Sequence, residues 1–309
     1  MKKRLFCALL CALLCLTQVM AATPLDRFAF QEQYAADYAR EHPEEYAAFD
    51  AVAAYEDDLY RATQLPREVW MANRDLDEAG FKAVMWTMHL SARADEAYVD
   101  YATGTAFPAV AEYPGFADVA PGSWYESAVT CCYVLGLMQG TDLGFEPEKA
   151  LTVGECAAVA ARIREALTGQ PSPSPSPDEP WYAPYTGYMT EAQPTLTPML
   201  AHPTEPISRM QYLLLLNAAI PENMWLLLTP INVVETLPDT EDDTVRSFYR
   251  AGILTGVDQY GSFAGDKALT RAECAAMVAR LVRSELRLSF SLTPWPPADA
   301  GSPMLDTEN

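Results

Sequence analysis

Residues 134–157 read VLGLMQGTDLGFEPEKALTVGECA, and residues 250–275 read RAGILTGVDQYGSFAGDKALTRAECA. Gly136 aligns with Gly252, Gly140 with Gly256, and Phe145 with Phe263. Leu151-Thr152 aligns with Leu269-Thr270, and Glu155-Cys156 with Glu273-Cys274. Gly136 and Gly252 lie 116 positions apart, which leaves room for a weaker third copy between the two. Repeats of this size stack units that cannot bury their apolar faces alone. Such an arrangement points to binding or scaffolding rather than to one catalytic cleft.

Each copy reads as helix, loop and capped helix. In the first, the turn Pro121-Gly122-Ser123 precedes Trp124, and Ala128, Cys131 or Cys132, and Leu135 follow at helical spacing. Gly136 stands where that helix should stop, because a left-handed residue costs least at glycine. Gly140 to Pro147 reads as an irregular turn anchored by Phe145. Thr152 and Glu155 form a capping-box pattern that starts a second helix, with Cys156, Val159, Ala160 and Ile163 on one face. The last copy predicts a short first helix over 245–251 and a second over 270–287, opened by the capping box Thr270-Arg271-Ala272-Glu273.

These residues resemble the S-layer homology (SLH) family, whose pattern runs F-x-D-V, W, G-I-x-x-G, F-x-P, then T-R-A-E. The first copy, about 116–167, carries Phe116, Asp118-Val119, Trp124, Gly136, Gly140, Phe145, Pro147, Thr152 and Glu155. The third, about 237–285, carries Pro238-Asp239, Gly252-Ile253, Gly256, Phe263 and the whole of Thr270–Glu273. The middle copy, about 180–220, is degenerate: Trp181-Tyr182, then Ile207-Ser208-Arg209-Met210 before an apolar helix over 212–220. The resemblance implies a mainly α fold in which three helix-loop-helix repeats pack as a pseudo-threefold unit. It also implies a bacterial surface protein held non-covalently to secondary cell-wall polysaccharide, an acidic and often pyruvylated polymer. The competing expectation is a structural or partner-binding scaffold whose repeats no longer bind polymer. The degenerate middle copy favours it.

The chain opens with Lys2-Lys3-Arg4, an apolar run to Leu16, and Val19-Met20-Ala21, the pattern of a secretory signal peptide over residues 1–22. Without those three cations, 18 basic residues face 42 acidic ones, a formal charge of −24. So acidic a chain excludes nucleic acid as a partner, since phosphate binding needs a basic face. One segment departs from the trend. Between Val245 and Leu288, seven cations (Arg246, Arg250, Lys267, Arg271, Arg280, Arg283, Arg287) outnumber Asp258, Asp266, Glu273 and Glu285. Four of the seven cysteines lie beyond the signal: Cys131, Cys132, Cys156 and Cys274. Cys156 and Cys274 read as small buried hydrophobes, with a Cys156–Cys274 or Cys131–Cys156 disulfide as the alternative that export permits. No metal or cofactor is expected, as His42, His89 and His202 lie apart from any cysteine pair.

Residues 23–110 read as a small helical bundle, with helices over 25–41, from Pro43 to about Ala62, and over 76–101. The expected organisation continues with the first repeat at 111–168 and a Ser/Pro linker at 169–180. The degenerate repeat follows at 181–236, the third repeat at 237–288, and a disordered tail at 289–309. No enzyme is expected. Asn73 to Val84 lacks the sixth-position glycine and twelfth-position glutamate of a calcium loop, and neither a nucleophile motif nor a phosphate-cradling loop occurs.

Candidate polymer-binding residues are Arg271, Arg209, Trp124, Trp181, Lys267 and Thr270. An arginine opening a helix sits against the positive end of the dipole, which suggests an anion shared between guanidinium and free backbone donors. Thr270 begins that helix and Lys267 adds charge beside it. Trp124 and Trp181 open their copies, either as core anchors or as aromatic walls of a sugar groove. Val153 stands where Arg209 and Arg271 stand in the other copies.

Overall fold

The computed structural model describes residues 26–174 and 176–294. The expected signal peptide and the tail from residue 295 lie outside the described residues. The chain is mainly helical, 57% of it in helices, with no strand among the described residues. Its contacts divide it into two compact units. One comprises residues 105–221 and 262–279; the other comprises 26–104, 222–261 and 280–294. This division groups 222–261, the end of the expected middle copy and the start of the third, with the amino-terminal helices.

In the second of these units, α1 (Arg27–Glu41) starts at Asp26, whose carboxylate accepts from Phe28 and Ala29 N–H. The expected single helix after Pro43 is interrupted: α2 (Pro43–Ala48), α3 (Ala51–Ala54), a π-helical turn (Tyr55–Leu59) and α4 (Tyr60–Thr63) follow one another. The reason is Asp50, which restarts the helix by accepting from Val52 and Ala53 N–H. After α5 (Arg67–Ala72), the long α6 (Glu78–Ala106) outruns its expected end by five residues. Tyr55, Trp70, Phe81 and Met85 form one core cluster. Ala35, Trp86 and Leu90 form another, where the Trp86 indole donates to the Ala35 carbonyl at 3.2 Å. In the same unit, Asp242 caps α12 (Asp243–Arg250). The expected disorder from residue 289 is not seen as far as Pro294. Phe290 N–H donates to Asn232 at 2.9 Å and Thr293 N–H to Gln259 at 3.0 Å.

The other unit contains α7 (Glu126–Val134), α8 (Val153–Thr168), α9 (Ala183–Ala192), α10 (Thr197–Leu200), α11 (Arg209–Ala219) and most of α13 (Arg271–Val282). Gly136 ends α7 at φ 70°, as Gly252 ends α12 at φ 73°, the left-handed stop that glycine makes cheap. The capping boxes form. Glu155 accepts from Thr152 N–H at 2.9 Å, and Glu273 from Thr270 N–H at 3.1 Å, so α8 and α13 begin one residue after their threonines. Ser208 and Gln211 make the same box for α11. The helix of α13 stops at Val282, short of the expected 287, and a 3-10 turn takes up Ser284–Leu286.

The three caps are tied by a closed ring of backbone hydrogen bonds. Leu151 N–H donates to Leu269 at 2.9 Å, Leu269 N–H to Ile207 at 3.1 Å, and Ile207 N–H to Leu151 at 3.0 Å. All three side chains are buried. A second set of bonds runs round the three copies in the opposite sense: Val153 N–H donates to Glu205, Arg209 N–H to Lys267, and Arg271 N–H to Lys149.

Candidate functional site

Around the start of α13 the chain leaves a cleft of about 170 Å³ lined by Gln139, Glu155, Arg162, Trp181 and Arg271, with Met138, Leu151, Ala158 and Val159 as its apolar floor. One face of α8 supplies Glu155, Ala158, Val159 and Arg162, residues three and four apart. That spacing was the available sign of Arg162, which the motif comparison passes over because it falls outside the motif. Arg162 donates to the Leu137 carbonyl at 3.0 Å and lies 5.8 Å from the Tyr185 ring centroid.

Arg271 reaches this cleft as a strut. Its Nε donates to the Phe145 carbonyl and its Nη2 to the Gln139 carbonyl, both at 2.7 Å, and its guanidinium packs 4.8 Å from the Phe145 ring centroid. The side chain therefore joins the helix start to the 139–145 loop while still lining the cleft. Among the described residues no carboxylate lies within ion-pair distance of Arg271, although Glu155 shares the cleft and pairs with Lys149 at 3.7 Å. The backbone donors that were expected to be free are occupied. Arg271 N–H goes to Lys149, Ala272 N–H to Pro147, and Glu273 N–H to the Thr270 hydroxyl. Thr270 is thus spent on its capping box.

Arg209 repeats the strut but not the opening. Its Nε donates to the Phe263 carbonyl at 3.0 Å, its ring partner is Phe263, and its Nη1 lies 3.4 Å from Glu273. Lys267 approaches the same Glu273 oxygen at 2.8 Å. Burial opposes charge on Glu273, yet the Lys267 hydrogen bond, the Thr270 backbone donor and Arg209 together hold its carboxyl below the usual range. The anion that an arginine at a helix start calls for is here Glu273, a residue of the chain itself. At the third equivalent position the buried Val153 carries no charge, and in α11 Gln211 replaces the capping glutamate. The first copy thus lacks the arginine and the middle copy lacks the carboxylate.

The tryptophans are not core anchors. Trp124 is 61% exposed and Trp181 52% exposed, each edge-on to the tyrosine that follows it. Of the expected set, the structure brings Arg271 and Trp181 into one cleft and gathers Arg209, Lys267 and Thr270 about Glu273. Asp118 is a positioning residue that the capping analysis missed: its carboxylate accepts from Phe145 N–H at 3.0 Å and Glu146 N–H at 2.6 Å, fixing the loop that Arg271 grips. Its sign in the sequence was the D of the F-x-D-V pattern.

Among the described residues no three His, Cys, Asp or Glu side chains gather closely enough to hold a metal ion, and no helix is long and apolar enough to cross a membrane. The family model of the S-layer homology domain matches residues 115–155, which span α7, the Asp118-anchored loop and the capping box of α8. No curated protein matches the chain.

Proposed function

We propose that this S-layer homology domain-containing protein is a secreted, non-enzymatic anchor that holds itself to an acidic secondary cell-wall polysaccharide of a bacterium. The domain itself supports association with the cell surface and with cell-wall polymers in general. The finer reading rests on one observation, the meeting of Trp181, Arg162 and Arg271 in a single cleft. A half-exposed indole offers a face on which a sugar ring stacks, and two guanidinium groups offer donors to an acidic substituent. At about 170 Å³ the cleft is of a size for one residue of a polymer. Pyruvylated polymers are one class with the required carboxylate.

The test is retention of purified protein on cell-wall sacculi, before and after chemical removal of the polysaccharide. Wild-type protein should bind the first and not the second, and Trp181→Ala should lose binding without losing its fold. Equal retention on stripped sacculi removes this reading.

A scaffold whose repeats no longer bind polymer is the second reading. It is favoured by the internal pairing of Arg209 with Glu273 and by the loss of charge at Val153 and Gln211. On that reading Trp181→Ala leaves wall retention unchanged.

A further inference from the structure

Away from the cleft, the centre of the unit formed by residues 105–221 and 262–279 holds a group of reactive side chains that polymer binding does not use. Cys156 lies four residues after the cap Thr152, Cys274 four after Thr270, and Tyr212 four after Ser208. None of the three has any exposed surface. The ring of bonds through Leu151, Ile207 and Leu269 draws the caps together. Residues one helical turn further on therefore converge beneath it. The Tyr212 hydroxyl is buried without a hydrogen-bond partner, among the thiols of Cys274, Cys156 and Cys132. An unsatisfied hydroxyl in a dry core is costly, and the one polarity at hand is thiol sulfur.

Cys156 and Cys274 are both free, buried thiols, and burial, followed by the neighbouring Cys274 side chain, pushes the Cys156 thiol well up. Cys132 lies beside the same group but is occupied, donating to the Ala275 carbonyl at 3.4 Å, and Cys131 is only half-buried. Of the four thiols, only Cys156 and Cys274 hold equivalent places one helical turn beyond the tied caps.

We infer that Cys156 and Cys274 are a disulfide-forming pair that staples the first capped helix to the last. This rests on the export assumed in the proposed function, because an oxidising compartment is where such bonds persist. Each thiol loses its proton, the Sγ–Sγ bond forms, and two electrons pass to the disulfide of a thiol–disulfide oxidoreductase, which leaves as a dithiol. In the folded unit both sulfurs are sealed from any such partner, and attack requires a thiolate that burial disfavours at Cys156. Oxidation therefore belongs to the folding chain, before the core closes. Once made, the bond closes a loop of 118 residues from Cys156 to Cys274, long enough to restrict the unfolded chain strongly.

Full-length protein made in a reducing cytoplasm is unfolded in guanidinium and refolded in a glutathione redox mixture, then digested without reduction and mapped by mass spectrometry. The expected product is one peptide pair joined through Cys156 and Cys274, with a urea midpoint above that of the same protein refolded in excess reductant. Cys156→Ala should show the same midpoint in both buffers. A map in which Cys156 and Cys274 are free, or in which either is joined to Cys131 or Cys132, overturns the inference. Wall retention plays no part in this readout, so a failed sacculus experiment and a failed disulfide map are separate results.

Discussion

Replacing Arg271 with alanine tests whether the arginine of the cleft is a strut as well as a ligand contact. The substitution removes two hydrogen bonds of 2.7 Å from a cation to the Phe145 and Gln139 carbonyls, and the packing of the guanidinium on the Phe145 ring. Hydrogen bonds involving a charged group contribute about 1.5–3 kcal/mol each. The two share one side chain, and the freed carbonyls can recover part of the loss from water, so about 3–5 kcal/mol is the expected total. That is a large share of the roughly 5–15 kcal/mol stability of a folded domain. Urea unfolding followed by circular dichroism should show the midpoint falling with an unchanged slope. Arg271→Lys should recover little, because an ammonium cannot fork to two carbonyls. A loss under about 1 kcal/mol would refute the strut and leave Arg271 as a ligand contact alone.

The Arg209–Glu273 pair should couple: a double-mutant cycle with Arg209→Met and Glu273→Gln is expected to give about 1 kcal/mol of interaction energy, and additivity would show that Lys267 alone holds the carboxylate. Val153→Arg should destabilise because it buries an unpaired cation, and adding Gln211→Glu should restore part of the loss, as measured by thermal unfolding of the single and double variants. Glu273 titrates below its ordinary value of 4.5 in the folded protein. Its contribution is therefore fully present above that pH and lost as pH falls through the lowered value, and an acid unfolding curve of Lys267→Met should show that loss at higher pH than wild type. Ala264 adopts φ 53°, so Ala264→Gly should raise stability by up to about 1 kcal/mol, while a fall in urea midpoint would mean that the Ala264 methyl group packs more favourably than its backbone strains.

Capping chemistry was legible because it is local. Thr152 with Glu155, and Thr270 with Glu273, need only three residues to declare a helix start, and both helices begin there. Ser208 with Gln211 makes the same box with an amide, a pairing hidden by the usual acidic motif. The helix after Pro43 was read as continuous because its apolar spacing persists through Asp50, whose side chain competes for the backbone and breaks it. At the site, residue types were legible and their partners were not. Arg209 and Arg271 look alike in sequence, yet one meets Glu273, 64 positions away, and the other meets carbonyls 126 and 132 positions away. Whether an arginine is free for a ligand depends on those distant neighbours. The exposure of Trp181 and the placing of Arg162 beside it depend on how α8 and α9 pack, which no short motif records.

The hydrogen-bond ring through Leu151, Ile207 and Leu269 also sets an order of events during synthesis. Ile207 can bond to Leu151 as soon as both have emerged, but the Leu151 amide and the Ile207 carbonyl have no ring partner until residue 269 arrives, 118 positions after Leu151. A ribosome adding about 5–20 residues per second needs several seconds to cover that interval. During it the unit exists as an open arc with two capped helices and an empty third place. Contacts so distant in sequence form late, and the unit stays pliable until residue 269 has been made and has closed the ring.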